Sequence, residues 1–466
     1  MFLDKIEKNK NKIAIYLDKN NSILYKETIK SSDYFLKNCK KRGLAILVAD
    51  NNIESLLGYI ALLKSENTIM ILDTNIQQED FNIIIKKYAP SYIYCSKHKV
   101  KFILQKNFDL IYNFKNYNLL KNKKSHSYKI NGDLKILLST SGSLGEPKFV
   151  KLSSNNLKIN TKSIVSYLNL NSSDRTITTM PMSYSYGLSI INTHLFSGAS
   201  IVLNENGIIN NKFWELYKDS SPTNINGVPF FYELLIKIGL KRMGNDNLRF
   251  ITQAGGKLDL ETFRKISNYT NKNKINFYLM YGQTEASPRI SFYKVKKDYL
   301  KFKTPPIGKP IPGGKILLKD DKNNLINKKY KEGEIYFKGP NIFKGYSTSH
   351  KDLKKTKNMK ELKTGDIAYR DEKNLFYIVG RKSRFIKPYG HRLNLDFIEE
   401  KFLRKSYKVA CIGVKDLLYI FSIKKILRIE KIIDLPRNSF KIIYIKNFPL
   451  NSNGKISYKD LFKDFL

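Results

Sequence analysis

Cysteine is scarce in this chain. Its 466 residues include three, Cys39, Cys95 and Cys411, too far apart for a CxxC metal site and odd in number. No disulfide framework is therefore encoded, and a reducing compartment is expected. The five histidines, His98, His126, His194, His350 and His391, are equally scattered, which argues against a histidine metal cluster. No segment approaches about 18 uninterrupted apolar residues, and the start "MFLDKIEKNKNKIAIYLDK" carries Asp4 and no apolar core of signal-peptide length. The expectation is a cytoplasmic protein with no membrane span. Acidic residues are also few, 41 against 83 Lys and Arg, for a net charge of +42. A cationic excess marks a nucleic-acid or membrane surface when it gathers in one stripe. Here the lysines run evenly from Lys5 to Lys463, so nucleic acid is not expected as a partner, whereas local attraction for small polyanions is.

What is present describes a folded globule: 42% hydrophobic and 12% aromatic residues in a chain long enough for about two to four structural units. "GLAILVAD", "NIESLLGYIALLKS" and "NTIMILD" read in order as strand, helix and strand, a βαβ unit. "SYIYCS" and "DLKILLS" are further strands, and the polar "KNYNLLKNKKSHSYKING" between them reads as an exposed connection. "SSNNLKINTKSIVSYL" predicts a helix capped by Ser154 or Asn155. Buried strands with loops after them follow at "RTITTMPMSYSYG", "ASIVLNENG", "TNINGVP", "LRFITQAGG" and "INFYLMYGQTE". The predicted class is α/β, with a large N-terminal domain (1–381) of parallel-rich sheets and helices. Within it the Gly- and Pro-split segments from about 300 to 381 form a β-rich subdomain. Residues 382–466 form a small, mobile α+β domain with a helix at "NLDFIEEKFLRK" and strands at "KVACIGV" and "LLYIFSI".

One stretch is unusually bare of bulky side chains. "LLSTSGSLGEPKFVKLS" (137–153) sets Thr140, Ser141, Gly142, Ser143 and Gly145 behind a strand, where backbone N–H groups and hydroxyls can surround a phosphate chain. It is not a Walker A loop, because Pro147 and Phe149 flank Lys148. Taken alone it also fits a flexible turn.

"LLSTSGSLGEPKFV" resembles the signature loop of the AMP-forming adenylating enzymes: acyl-CoA synthetases, luciferase-like ligases and peptide-synthetase adenylation domains. "SILYKET", "QAGGKL", "MYGQTEA", "GEIYFKGPNIFKGY", "KTGD", "GRKSRFIKPYGHRL" and "PLNSNGKISYKDL" follow the family's order over nearly the whole chain. The resemblance implies ATP-dependent activation of a small carboxylic acid to an acyl-adenylate, then transfer to a thiol on CoA or on the phosphopantetheine of an acyl carrier protein. Neighbouring implications are an amine acceptor, or a non-catalytic AMP-binding relative.

The same resemblance assigns roles. ATP and Mg²⁺ would be the cofactors, and the 140–145 loop with Lys148 would cradle the phosphates. Tyr281 beside Gly282 would stack on adenine, with Gly255 and Gly256 leaving it room. Thr284 would bond the α-phosphate, and Glu285 would hold the metal as a hard carboxylate. Asp366 would accept the ribose hydroxyls, and Arg381 would reach sugar and phosphate. Lys455 would neutralise the first half-reaction, while Lys387 and Gly390 would serve the second, thiol-accepting one. Without that frame, Tyr281 is a core aromatic, Asp366 a surface turn, Arg381 and Lys455 solvated charges, and Lys387 a strand-edge lysine.

The acid pocket would be lined by Tyr184, Tyr186, Gly187, Asn226, Val228, Pro229 and Gly390. The two tyrosines fill the place where relatives carry histidine or aspartate, and they also fit plain core packing. A buried α-ammonium without a carboxylate is costly, so a free amino acid is not expected as substrate. Departures from the family pattern are Leu144 for a hydroxyl, Ser383 at the hinge position, and a short C-terminal domain.

Overall fold

The computed structural model describes residues 8–465 except 40, 101–102, 104–106, 125–127, 140–147, 245, 387–392, 415–416, 430–431, 434 and 451–455. The chain forms two compact units, Met1–Lys315 with Lys338–Leu362, and Ile316–Phe337 with Lys363–Leu466.

The first unit contains two large sheets. One has nine strands in the spatial order Lys309–Pro310, Ser291–Lys294, Asn276–Tyr281, Phe250–Gln253, Asn224–Gly227, Arg175–Ile177, Ser200–Val202, Ile13–Tyr16 and Ser22–Leu24. Pairing from Asn276–Tyr281 across to Ile13–Tyr16 is parallel throughout, and antiparallel strands close both edges. The second sheet has eight strands, with Leu134–Ser139, Thr68–Asp73, Leu44–Ala49 and Tyr92–Ser96 paired in parallel at its centre. Strands such as Leu44–Ala49 are buried along their whole length, as parallel strands covered on both faces must be. Two helices, Ile53–Lys64 and Ser185–Ser197, are buried on nearly every side, the pattern of helices enclosed by other layers. Tyr59 Oη donates to Asn192 Oδ1 at 2.7 Å and links them.

Two local expectations are corrected. The polar stretch after residue 114 is not all connection: Tyr117–Asn122 is a strand paired antiparallel with Tyr92–Ser96 and Phe108–Phe114. Leu119 and Leu120 are buried there, because a hairpin laid on the sheet edge covers them while its lysines stay in solvent. The helix predicted from Ser154 or Asn155 is capped one residue earlier, by Ser153, whose Oγ accepts from the Asn156 N–H while the Asn156 side chain bonds back. The segment from Arg175 is a short strand followed by a loop, as expected: the strand ends at Ile177, and the Ser185–Ser197 helix begins beyond the loop.

The second unit contains a four-stranded sheet, in which Leu362–Arg370 and Phe376–Arg381 form an antiparallel pair. It also contains a three-stranded sheet of Val409–Val414, Leu417–Ser422 and Phe440–Tyr444. Leu395, Ile398 and Phe402 of the Leu395–Leu403 helix pack with Val409, Leu418 and Ile420. Leu461 of the terminal Tyr458–Phe465 helix packs with Ala410, Phe421 and Ile445. Alternate strand residues thus feed two small cores.

Candidate active site

In parallel sheets the loops beyond the carboxyl ends of the strands are where ligands are met. Four neighbouring strands of the nine-stranded sheet, ending at Ile177, Gly227, Gln253 and Tyr281, lead into the segments that carry Tyr184, Val228, Gly255 with Gly256, and Gly282 to Glu285. Sheet topology therefore gathers residues more than a hundred positions apart in the chain.

The loop after Tyr281 is held on every side. Ile290 N–H donates to Tyr281 O at 2.9 Å, and a Cβ on Gly282 would fall 1.9 Å from Pro288 O, so only glycine permits the close return. Thr284–Ala286 forms a short 3₁₀ turn. Buried Asn341 donates to the carbonyls of Ala286 and Arg289, and Phe343 N–H donates to Glu285 O at 2.9 Å. Backbone tied this thoroughly fixes where Thr284 and Glu285 point.

Both side chains have partners that the sequence did not disclose. Thr284 Oγ1 lies 3.1 Å from Ser185 Oγ. Tyr346 Oη donates to Glu285 Oε1 at 2.8 Å, and Lys148 Nζ stands 3.6 Å from the centroid of the same Tyr346 ring. Burial and the neighbouring Glu285 carboxylate push the Tyr346 phenol well above its ordinary pKa, so it remains a donor. Among the described residues no three His, Cys, Asp or Glu converge as a metal cage. A single oriented carboxylate suits Mg²⁺, which takes its remaining ligands from phosphate and water.

Gly255 has φ +84°, and a Cβ there would meet Tyr184 Oη at 2.6 Å and Val228 Cγ1 at 3.2 Å, which brings these three predicted residues together. Gly256 O accepts from Gln253 Nε2 at 2.9 Å. Gly187 is a packing position, since a Cβ would lie 2.2 Å from Pro181 O. Tyr186 faces a buried polar chain: its hydroxyl lies 2.6 Å from Thr252 Oγ1, which donates to Asn226 Oδ1. Asn226 bonds Thr176 and Asn224, and Asn224 Nδ2 lies 3.0 Å from His194 Nε2. His194 Nδ1 is 2.8 Å from Ile190 O, which makes Nδ1 the protonated nitrogen and Nε2 the acceptor. Burial pulls the His194 pKa down to about 4, so the ring is neutral.

In the second unit, Asp366 and Arg381 are direct cross-strand partners, with Arg381 Nε 3.4 Å from Asp366 Oδ1. Two motifs fifteen residues apart thus meet on one hairpin. Lys382 Nζ pairs with Asp321 at 2.9 Å and Glu334 at 3.1 Å, and these partners push its pKa up. Arg384 bonds Asp396, Glu399 and Cys411 O, and Tyr458 Oη donates to Glu399. Thr140, Ser141, Gly142, Ser143, Gly145, Lys387, Gly390 and Lys455 lie outside the described residues. Sequence reading missed Ser185, Tyr346 and Asn341, although all three stand inside stretches quoted above.

Among curated proteins, the chain is 27% identical over 271 residues to 2-succinylbenzoate–CoA ligase of Bacillus cereus, a match covering 57% of this chain and 54% of that one. It thus aligns with about half the length of that ligase. It is 23% identical to oxalate–CoA ligase of Saccharomyces cerevisiae over 95% of this chain and 81% of that one. It is 25% identical to D-alanine–D-alanyl carrier protein ligase of Listeria monocytogenes over 94% and 93%. Among solved structures, it shares the fold of O-succinylbenzoate coenzyme A synthetase from Bacillus subtilis in complex with AMP, with TM-score 0.79, 18% identity and 99% and 97% coverage. It also shares that of ATP-bound MatB from Rhodopseudomonas palustris, with TM-score 0.80, 20% identity and 100% and 98% coverage. The α/β class expected from the sequence is borne out. The family model described as AMP-binding enzyme matches residues 2–347, and the chain belongs to that family.

Proposed function

We propose that this chain is an AMP-forming acid–thiol ligase: it joins a small carboxylic acid to ATP as an acyl-adenylate, releasing pyrophosphate, and passes the acyl group to the thiol of CoA or of a carrier-protein pantetheine. The observation that carries this reading is the Lys148–Tyr346–Glu285 arrangement beside Thr284. It sets a cation, an oriented carboxylate and hydroxyls on one side of a loop that the rest of the unit holds rigid. Named relatives that act on CoA or a carrier protein support the thiol acceptor.

In this proposal Tyr281 stacks on the base, with Gly255 and Gly256 giving it backbone clearance. Thr284 donates to the α-phosphate, with Ser185 fixing its rotamer. Lys148 and the 140–145 loop bind the outer phosphates. Glu285 would hold Mg²⁺, which when bound neutralises phosphate charge. Asp366 accepts from the ribose, and Arg381 holds the Asp366 carboxylate until sugar arrives. Tyr184 and Val228 shape the acid pocket. Lys455 serves adenylation, and Lys387 with Gly390 serves thioester formation, as a C-terminal piece (382–466) turns between the half-reactions. No described helix is long and apolar enough to cross a membrane, which fits the proposed cytoplasmic site of action.

The test is pyrophosphate exchange over a panel of acids with wild type and Lys455→Ala. Exchange with at least one acid is expected, reduced about 10²- to 10³-fold in the variant. AMP release that requires CoA or a loaded carrier then identifies the thiol. Exchange with no acid, or a variant equal to wild type, would overturn the reading.

A further inference from the structure

Arg289 is 3% exposed, and the partners described around it are neutral. Its Nη2 donates to Ser189 Oγ at 3.2 Å, its Nε points to Met280 Sδ at 3.4 Å, and its guanidinium lies 4.4 Å from the centroid of the Tyr186 ring. Tyr167 is a further hydrogen-bond neighbour. The positive charge is felt by Tyr167, Tyr184 and Tyr186, and among the described residues no carboxylate acts on any of the three. His194, which lines the same cavity, is neutral and supplies no counter-charge.

A buried cation surrounded by a thioether, hydroxyls and a ring face has lost its water without gaining an anion. Other internal cations among the described residues are treated differently. Lys135 Nζ caps the carbonyls of Leu62, Ser65 and Asn67, and Arg384 meets two carboxylates. Arg289 therefore stands apart, and its position gives a reason. With Tyr186, Ser189, His194 and Asn226 it lines a cavity of about 10 Å³, space for a water-sized group. Tyr186 is two residues beyond Tyr184, whose hydroxyl, like the Val228 side chain, lies against Gly255, and Ser185 between them touches Thr284.

We infer that Arg289 is the counter-charge for a second carboxylate on the substrate, so that the acids this enzyme activates are dicarboxylic. One carboxylate reacts near Thr284; one oxygen of the other takes the water-sized space beside the guanidinium. The same cation repels an α-ammonium, which excludes amino acids by charge. The inference rests on the reading of Tyr184 and Val228 as acid pocket and adds the substrate class to it.

The test compares dicarboxylic acids of graded length with their half-esters and with D-alanine in pyrophosphate exchange, using the full chain, wild type, Arg289→Met and Arg289→Lys. Wild type should favour at least one diacid over its half-ester by about 10- to 100-fold in kcat/KM. Arg289→Met should bring that ratio toward one, with Arg289→Lys between. If Arg289→Met does not fold, the wild-type ratio and Arg289→Lys decide alone. Exchange with half-esters or monocarboxylic acids at parity with diacids, or a ratio unchanged in the folded variants, overturns the inference and leaves the proposed function standing. Exchange with no acid of either kind overturns both.

Discussion

The loop after Tyr281 and the segment after Arg381 each carry a motif of the family pattern, yet the protein secures them by different physics. The first is the continuation of a central parallel strand and is fixed by main-chain bonds, Asn341 and a glycine contact with no spare room. The second leaves a hairpin and is tied down by ions: Lys382 to Asp321 and Glu334, then Arg384 to Asp396 and Glu399, with Tyr458 on Glu399. A scaffold held by apolar strands keeps groups at fixed positions. One held by a few side-chain pairs depends on each of them and on their protonation.

That contrast predicts where damage spreads. Arg384→Met strands two carboxylates, Glu399 being 19% and Asp396 35% exposed at the side chain. It should destabilise the C-terminal region by about 3–5 kcal/mol. Hydrogen exchange should rise across 395–403 and 409–422, while urea unfolding followed by the fluorescence of the single tryptophan, Trp214 in the first unit, keeps its midpoint. Equal shifts in both probes would erase the distinction.

The first unit has its own titratable weakness in His194. Its folded pKa is depressed by burial from 6.5 to about 4, so the unfolded chain binds the proton first as pH falls. Stability from this group is complete above about pH 6.5 and is lost progressively toward pH 4. Between pH 7 and pH 5 the loss is about 2 kcal/mol. Urea midpoints for Trp214 at the two pH values, in wild type and His194→Asn, measure it. A variant with the same pH dependence as wild type would assign the loss elsewhere.

The smallest effect sharpens the comparison at the site itself. Tyr346→Phe removes the donor to Glu285 but keeps the ring beneath Lys148. The expected result is about a 10-fold rise in the Mg²⁺ concentration needed for half-maximal exchange with an unchanged melting temperature. If the Mg²⁺ requirement stays put, the hydroxyl does not orient the carboxylate.

Much of this was legible in the chain. Strands such as Leu44–Ala49 and Asn276–Tyr281 are buried on both faces and announce themselves as unbroken apolar runs. Gly255, Gly282 and Asp366 lie in short motifs whose chemistry is local. Tyr117–Asn122 was hidden because its lysine and asparagines look like loop until an edge pairing covers Leu119 and Leu120. Asn341 and Arg289 were hidden because their roles are made by distant atoms: carbonyls 52 and 55 residues away for one, Ser189, 100 residues away, for the other.

Periodicity and near neighbours along the chain were enough for the α/β class, the order of the motifs and the residue types each motif presents. Only the tertiary structure decided that Ser185 stands against Thr284, that Lys148 and Glu285 share one tyrosine, and that Arg289 is buried without a described carboxylate. The first and last follow from parallel strands lying side by side in the nine-stranded sheet, the second from an antiparallel edge pairing that sets Tyr346 opposite Val150; both kinds of pairing join residues far apart in sequence.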